Sequence, residues 1–294
     1  SHEKVQYEDF IHKELIHFSK YDCDRSIPNI MDGLKISLRK ILYSAFLKRL
    51  TTEIKVAQFS GYVSEHSCYH HGEASLNGAI VGMAQNFVGS NNINLFMPNG
   101  QFGTRLQGGK DSASERYIFT QLNKITRTIF PASDDNVLTY LNDDGLSVEP
   151  IFYAPIIPMI LVNGSKGIGT GFSTDIMCYN PLQIIEYLKN KLLNIEDEIE
   201  FLPYYEGFKG EITKISDSKF LIRGHYEKLG NDKIRITELP VGYWNQDLKE
   251  LLEELIEPKQ DKDGKKTPAI VKEYDNMSKD TNVDFIITFA KGKL

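Results

Sequence analysis

The stretch from Ser90 to Gly109 constrains this chain most. Asn91, Asn92, Pro98, Asn99, Gly100, Gly103, Gly108 and Gly109 crowd into it, and a long helix cannot run through that density of turn-forming residues. The segments before it read as helices. Tyr7 to Phe18 places Phe10, Ile11, Leu15 and Phe18 at helical spacing, and Lys35 to Leu50 carries a stripe of Leu38, Ile41, Leu42, Ala45, Phe46 and Leu50. Lys35, Arg39, Lys40, Lys48 and Arg49 fall mostly off that stripe and form a cationic side. A third helix is predicted from Gly72 to Phe87, with Leu76, Ile80, Met83, Ala84 and Phe87 as its apolar positions. Three helices ahead of a glycine-rich, strand-forming segment predict a helix-turn-helix domain with a wing.

The remainder reads as a second unit, with a boundary near residue 155, so that the domains are 1–155 and 156–294. Val148 to Val162 contains Pro150, Pro155 and Pro158 and reads as extended and buried. A helix is expected from Pro181 to Ile195, strands at Glu211–Ile215, Lys219–Ile222, Lys233–Glu238 and Val283–Phe289, and an acidic helix from Gln246 to Ile256. The lysine-rich Pro258 to Pro268 segment reads as a solvated loop. The expected class is α+β, with an α/β second domain. Cys23, Cys68 and Cys178 form no C-x-x-C pair, which argues against a zinc ribbon or a disulfide framework and for a reducing compartment. No apolar run is long enough to suggest a membrane span.

Charge is unevenly spread. The formal net charge is −6, yet residues 21–130 hold 12 Lys and Arg against 8 Asp and Glu, while residues 131–294 hold 19 against 28. The basic half is the half a polyanion would contact. It also contains Arg116-Tyr117, behind the basic, glycine-rich Gly103 to Lys110. A phenol has an ordinary pKa of about 10 and attacks poorly at neutral pH unless cations favour the phenolate. Beside a permanent guanidinium, Tyr117 is a candidate nucleophile for a phosphodiester; alone, it would read as a half-buried strand residue. Tyr117 to Gln121 fits either a short strand or a helix start. His70-His71 lies just before Gly72, at the start of the third helix, where imidazoles and free backbone N–H groups meet phosphates. Helix capping is the plainer reading of that pair. The run Gly164-Ser165-Lys166-Gly167-Ile168-Gly169-Thr170-Gly171 is not a nucleotide loop, because it lacks a Gly-Lys-Ser/Thr ending and meets Phe172 where a third glycine should stand. It reads as a turn between extended segments.

Three runs carry a resemblance: Asp24-Arg25-Ser26-Ile27-Pro28-Asn29-Ile30-Met31-Asp32-Gly33-Leu34-Lys35, Tyr69-His70-His71-Gly72-Glu73-Ala74-Ser75-Leu76, and Gly100 to Thr120. Together they resemble the DNA breakage–reunion region of type IIA DNA topoisomerases of the eukaryotic type, which large DNA viruses also encode. The match is dense over about the first 180 residues. It implies a winged-helix domain followed by a tower domain, Tyr117 as the attacking residue and Arg116 as a transition-state arginine. It further implies Arg25 and His71 at the reacting phosphate, His70 in support, Lys35 and Arg39 gripping the DNA backbone, and Ile168 as an apolar wedge between base steps. Individually, each of those charged residues would read as a solvated surface group.

The resemblance also implies double-stranded DNA as partner, a working homodimer, and Mg²⁺ and ATP as cofactors of the full-length enzyme. Neither the Glu-Gly-Asp-Ser nor the Asp-x-Asp-x-Asp motif of the family's metal-binding domain occurs here. No cofactor is therefore expected on this chain, which should depend on metal-binding and ATPase domains of the same polypeptide and by itself bind DNA weakly without cutting it. The rival readings are a non-catalytic winged-helix DNA-binding module and a scaffold or dimerisation module. A nuclear location follows for a eukaryotic source, host cytoplasm or virion for a viral one.

Overall fold

The computed structural model describes residues 4–260, 262 and 264–294. Its N-terminal segment is helical from Tyr7: a short helix α1 (Tyr7–Phe10), a π-helical stretch (Ile11–Leu15) and helix α2 (Ile16–Ser26). None of these carries a buried residue, and the apolar positions Phe10, Ile11, Leu15 and Phe18 all face out. Helix α3 (Ile36–Lys48) turns Ile41, Leu42, Ala45 and Phe46 inward, as its stripe predicts. It ends at Arg49, whose φ of 51° is left-handed. After strand β1 (Ile54–Lys55) comes a helix that the sequence reading does not contain, α4 (Val56–Ser67). Its inward face is Val56, Phe59, Ser60, Val63 and Ser67, so two serines interrupt the apolar periodicity. Residues 68–72 connect it to α5 (Glu73–Ala84), giving a helix-turn-helix.

The turn-rich stretch is held largely by asparagine amides. Asn91 Nδ2 donates to the carbonyls of Gly82 and Gln85, and Asn92 Nδ2 to those of Val162, Tyr179 and Tyr204. Strand β2 (Phe119–Thr120) pairs with β1, while Asn99 and Phe96 bridge to Phe119 and Leu122. The result is a small antiparallel ribbon beside the helix-turn-helix. There follow α6 (Thr126–Ile129), a 3-10 turn (Ala132–Asn136), the hairpin β3 (Tyr140–Asp143) with β4 (Leu146–Pro150), and α7 (Met159–Asn163). The last of these is helical where an extended segment was expected.

Strands β5 (Ser165–Gly169) and β6 (Phe172–Ile176) make an antiparallel hairpin from the glycine run. Helix α2 lies against it. A Cβ at Gly167 would stand 2.0 Å from the Ser26 carbonyl oxygen, and one at Gly169 would stand 3.0 Å from Cys23 Sγ. These glycines therefore serve backbone approach rather than a nucleotide.

The apolar core does not divide at residue 155. One cluster runs from Leu34, Phe59, Phe96 and Ile118 to Tyr153, Met159, Val162 and Ile184, the last on α8 (Pro181–Leu192). Past the hairpin β7 (Glu211–Ser216) with β8 (Lys219–Arg223), a second cluster begins. It lies between α9 (Asn245–Ile256) and an antiparallel sheet built from β9 (His225–Lys228), β10 (Lys233–Glu238), β11 (Val271–Asn276) and β12 (Phe285–Phe289), in the order β11-β12-β10-β9. Asp261 and Asp263, in the expected loop 258–268, lie outside the described residues.

The basic glycine loop behind Tyr117 joins these two bodies instead of meeting solvent. Arg105 is buried and its guanidinium pairs with the Glu238 carboxylate, which also accepts the backbone N–H groups of Lys209 and Leu239. Gly108 lies flat on Trp244, where a Cβ would stand 2.3 Å from the indole Nε1. Gln246 N–H donates to the Leu106 carbonyl at 2.9 Å. Removing one partner of a buried ion pair strands a charge, a loss of about 3–5 kcal/mol. Glu238→Ala is therefore expected to lower the unfolding free energy in urea by about that amount, with Glu238→Gln losing less; a loss near zero for Glu238→Ala would contradict this role of the pair.

Candidate functional site

The segment 114–119 is strapped across the N-terminal end of α4. Val56 N–H donates to the Ile118 carbonyl and Ala57 N–H to the Glu115 carbonyl, while Tyr117 N–H turns back to Ser114. Ile118 is buried in the core, whereas Arg116 and Tyr117, in the turn closed by that last bond, face solvent. Tyr117 is 75% exposed, beside an exposed Arg116. The plain reading of Tyr117 as a half-buried strand residue does not describe this geometry.

A second group of side chains gathers at the opposite end of α4. His71, in the turn between α4 and α5, has its Nε2 3.1 Å from the Tyr21 hydroxyl of α2, and the Tyr69 ring packs edge-on against it at 5.3 Å between centroids. Partial burial pushes its pKa below the ordinary 6.5, and the charges of Arg25, His70 and Lys40 push the same way. Its neutral form is thus favoured. His70 is exposed and its Nε2 lies 3.1 Å from Asp143 Oδ2 at the end of β3.

The cationic side of α3 comes out differently from expectation. Lys35 donates from Nζ to the Lys166 carbonyl at 2.6 Å, which ties the start of α3 to strand β5. Arg39 requires correction as a DNA-gripping residue. It is 4% exposed, its Nε and Nη2 bond both oxygens of the buried Asp32 at 2.7 and 3.0 Å, and Nη2 also donates to the Leu34 carbonyl. Along α3 it shares a face with Leu42 and Phe46, three and seven residues on, so the helix carries it inward. Asp32 in turn accepts the Leu34 and Tyr153 N–H groups, leaving no part of this pair for a phosphate. Lys40, on the same cationic side, links the Ser67 carbonyl at the end of α4 to Glu149 of β4 and contributes to the field at His71.

Ile168 stands on the face of the β5–β6 hairpin opposite Gly167 and Gly169, and so points away from α2. It is 84% exposed. No described side chain covers it, which is the placement an inserting wedge needs.

Arg25, His70, His71 and Tyr21 are therefore brought together, while Tyr117 and Arg116 stand apart. α4 has 12 residues, and at 1.5 Å per residue it separates the two groups by about 18 Å. Among the described residues no group of three or more His, Cys, Asp or Glu side chains could hold a metal ion. The residues present do not fit an Mg²⁺ site. Among the described residues, no helix is long and apolar enough to cross a membrane.

The sequence matches the family model for the A subunit of DNA gyrase/topoisomerase IV over residues 25–294. The chain belongs to that family. Within it, the chain is 50% identical over 291 residues to DNA topoisomerase 2 top-2 of Caenorhabditis elegans, covering 99% of this chain and 19% of the relative. It is 56% identical over 256 residues to DNA topoisomerase 2 of Arabidopsis thaliana, covering 86% and 17%. The crystal structure of the Plasmodium falciparum topoisomerase II DNA-binding, cleavage and re-ligation domain superposes with a TM-score of 0.91 at 47% identity, over 98% of this chain and 38% of that one. The chain thus spans roughly a fifth of the length of these curated family members.

The field at His71 can be tested in solution. Removing the Arg25 charge lets the imidazole accept a proton more readily, so Arg25→Gln is expected to raise the His71 pKa in a proton NMR titration; an unchanged value would show that Arg25 stands too far away to act. Because the folded value lies below 6.5, protonation of His71 opposes folding. Its contribution to stability is therefore present above about pH 6.5 and is lost as the pH falls through the lowered folded value.

Proposed function

We propose that this chain is part of the DNA gate of an ATP-dependent type II DNA topoisomerase, in which Tyr117 breaks and rejoins a DNA strand. The observation that carries the reading is the solvent-facing Tyr117 phenol beside Arg116, on the flank of a helix-turn-helix. On this reading the helix-turn-helix and its ribbon are a winged helix that docks on double-stranded DNA. Tyr117 Oη attacks a backbone phosphorus, the bond from phosphorus to O3′ breaks, the phenol gives up its proton and the departing oxygen leaves as a 3′-hydroxyl. The strand's 5′-phosphate stays on the tyrosine as an ester. Attack by the 3′-hydroxyl reverses every step, so rejoining needs no outside energy. Arg116 stabilises charge on the phosphoryl oxygens. Ile168 inserts between base steps, and bending of the duplex offsets the unstacking. Mg²⁺ and ATP, on this reading, act at other domains of a longer polypeptide. For a eukaryotic source the nucleus is the corresponding location.

The separation across α4 gives the proposal a further requirement. A phosphate facing Tyr117 cannot also meet Arg25 and His71 of the same chain, since a tyrosine side chain does not reach across about 18 Å. Two copies in a homodimer resolve this, each setting its His71 cluster against the other's Tyr117. A non-catalytic DNA-binding module is the competing reading, and that same separation is the observation in its favour.

Mixing variants distinguishes these. In the longer polypeptide with its metal-binding domain, Tyr117→Phe dimers should form no covalent DNA and His71→Ala dimers should cleave at a small fraction of the normal rate. Mixed dimers of the two variants should nick one strand, because one complete site survives between copies. Mixed dimers as inactive as either parent would place both groups in one chain's site, and cleavage by Tyr117→Phe would remove Tyr117 from the chemistry.

A further inference from the structure

We infer that Tyr21 is a positioning residue for His71: its hydroxyl donates to His71 Nε2 and thereby fixes the imidazole as the tautomer that carries its proton on Nδ1. The inference rests on the reading of His71 as a phosphate contact. Tyr21 lies on α2, and its oxygen is 3.1 Å from Nε2 with the rings tilted at 50° and 6.2 Å between centroids. A phenol is a good proton donor and a weak acceptor, whereas the unprotonated nitrogen of imidazole is a good acceptor, so the bond runs from tyrosine to histidine. Among the described residues, Nδ1 of His71 has no hydrogen-bond partner. Its N–H is left free to donate to an anionic oxygen.

The surroundings make that choice of tautomer matter. Partial burial and the nearby charges of Arg25, His70 and Lys40 disfavour a second proton on the ring, which favours the neutral form with a single N–H. A neutral imidazole with its proton on the wrong nitrogen offers a phosphate a lone pair instead of a donor. The Tyr69 ring packs edge-on at 5.3 Å and limits rotation of the imidazole, so the tautomer decides which atom faces outward. Tyr21 is half exposed and no residue of α2 is buried, which makes its removal a local change.

Long-range nitrogen–proton NMR on the ¹⁵N-labelled chain reads the tautomer directly, without DNA and without activity. The wild type should show Nδ1 protonated, and Tyr21→Phe should move the population toward Nε2–H while the backbone spectrum elsewhere stays in place. An Nε2–H signal in the wild type, or no change in Tyr21→Phe, would overturn the inference. Affinity for a short DNA duplex supplies the second arm. Tyr21→Phe should weaken binding about threefold to tenfold, the size of one lost hydrogen bond, and should have no effect in a His71→Ala background. Equal losses in both backgrounds would show that Tyr21 acts independently of His71 and would overturn the inference. If His71→Ala alone left affinity unchanged, it is the phosphate-contact reading that fails, while the NMR result still decides the role of Tyr21.

Discussion

The candidate site depends on a contact between two backbones. Helix α2 carries Arg25 and Tyr21 yet buries none of its own residues, so apolar packing cannot hold it in place. What holds it is the approach of Ser26 and Cys23 to strand β5, where Gly167 and Gly169 leave no Cβ in the way. Cys23 Sγ and Asp22 add bonds to Thr170 at the tip of the hairpin. One close approach therefore sets three things together: the charge of Arg25, the hydroxyl that meets His71, and the outward face bearing Ile168 on the other side of the same strand.

Buried ion pairs then fix the frame around this contact. Asp32, held by Arg39 and by the N–H groups of Leu34 and Tyr153, closes the turn between α2 and α3, and Gly33 within it has a φ of 70° against the backbone of Ile160. Arg105 and Glu238 do the same between the two cores. Such pairs are weak evidence of net stability but strong determinants of geometry, because a buried guanidinium and carboxylate are costly to separate. Cations that look from sequence like a DNA-binding surface are partly used up in this way, while Arg25 and Arg116 are among those left exposed.

Much of the fold was legible where one element carries its own signal. The stripe of α3, the helix α5, the turn-rich segment and the acidic α9 follow from spacing and turn chemistry alone. Helix α4 was hidden by Ser60 and Ser67 on its inward face, and the break between cores was hidden because Tyr153 to Val162 is apolar enough to belong to either side. Tyr117, Arg116, Arg25, the histidine pair and Ile168 were proposed as site residues through resemblance, not through periodicity. Arg39, Arg105 and Tyr21 were misjudged or passed over for one reason: their partners Asp32, Glu238 and His71 lie 7, 133 and 50 residues away. No local pattern announces such pairings.

On the proposed chemistry, the Tyr117 phenol captures a DNA strand when the chain is part of the longer polypeptide with its metal-binding domain. A duplex with a nick placed to release a short fragment traps the covalent product, since the freed 3′ end diffuses away before it can attack back. Digesting that product and sequencing the DNA-linked peptide by mass spectrometry should find the 5′-phosphate on the tyrosine following Arg116. A link at any other residue, or attachment through a 3′-phosphate, would contradict the claim.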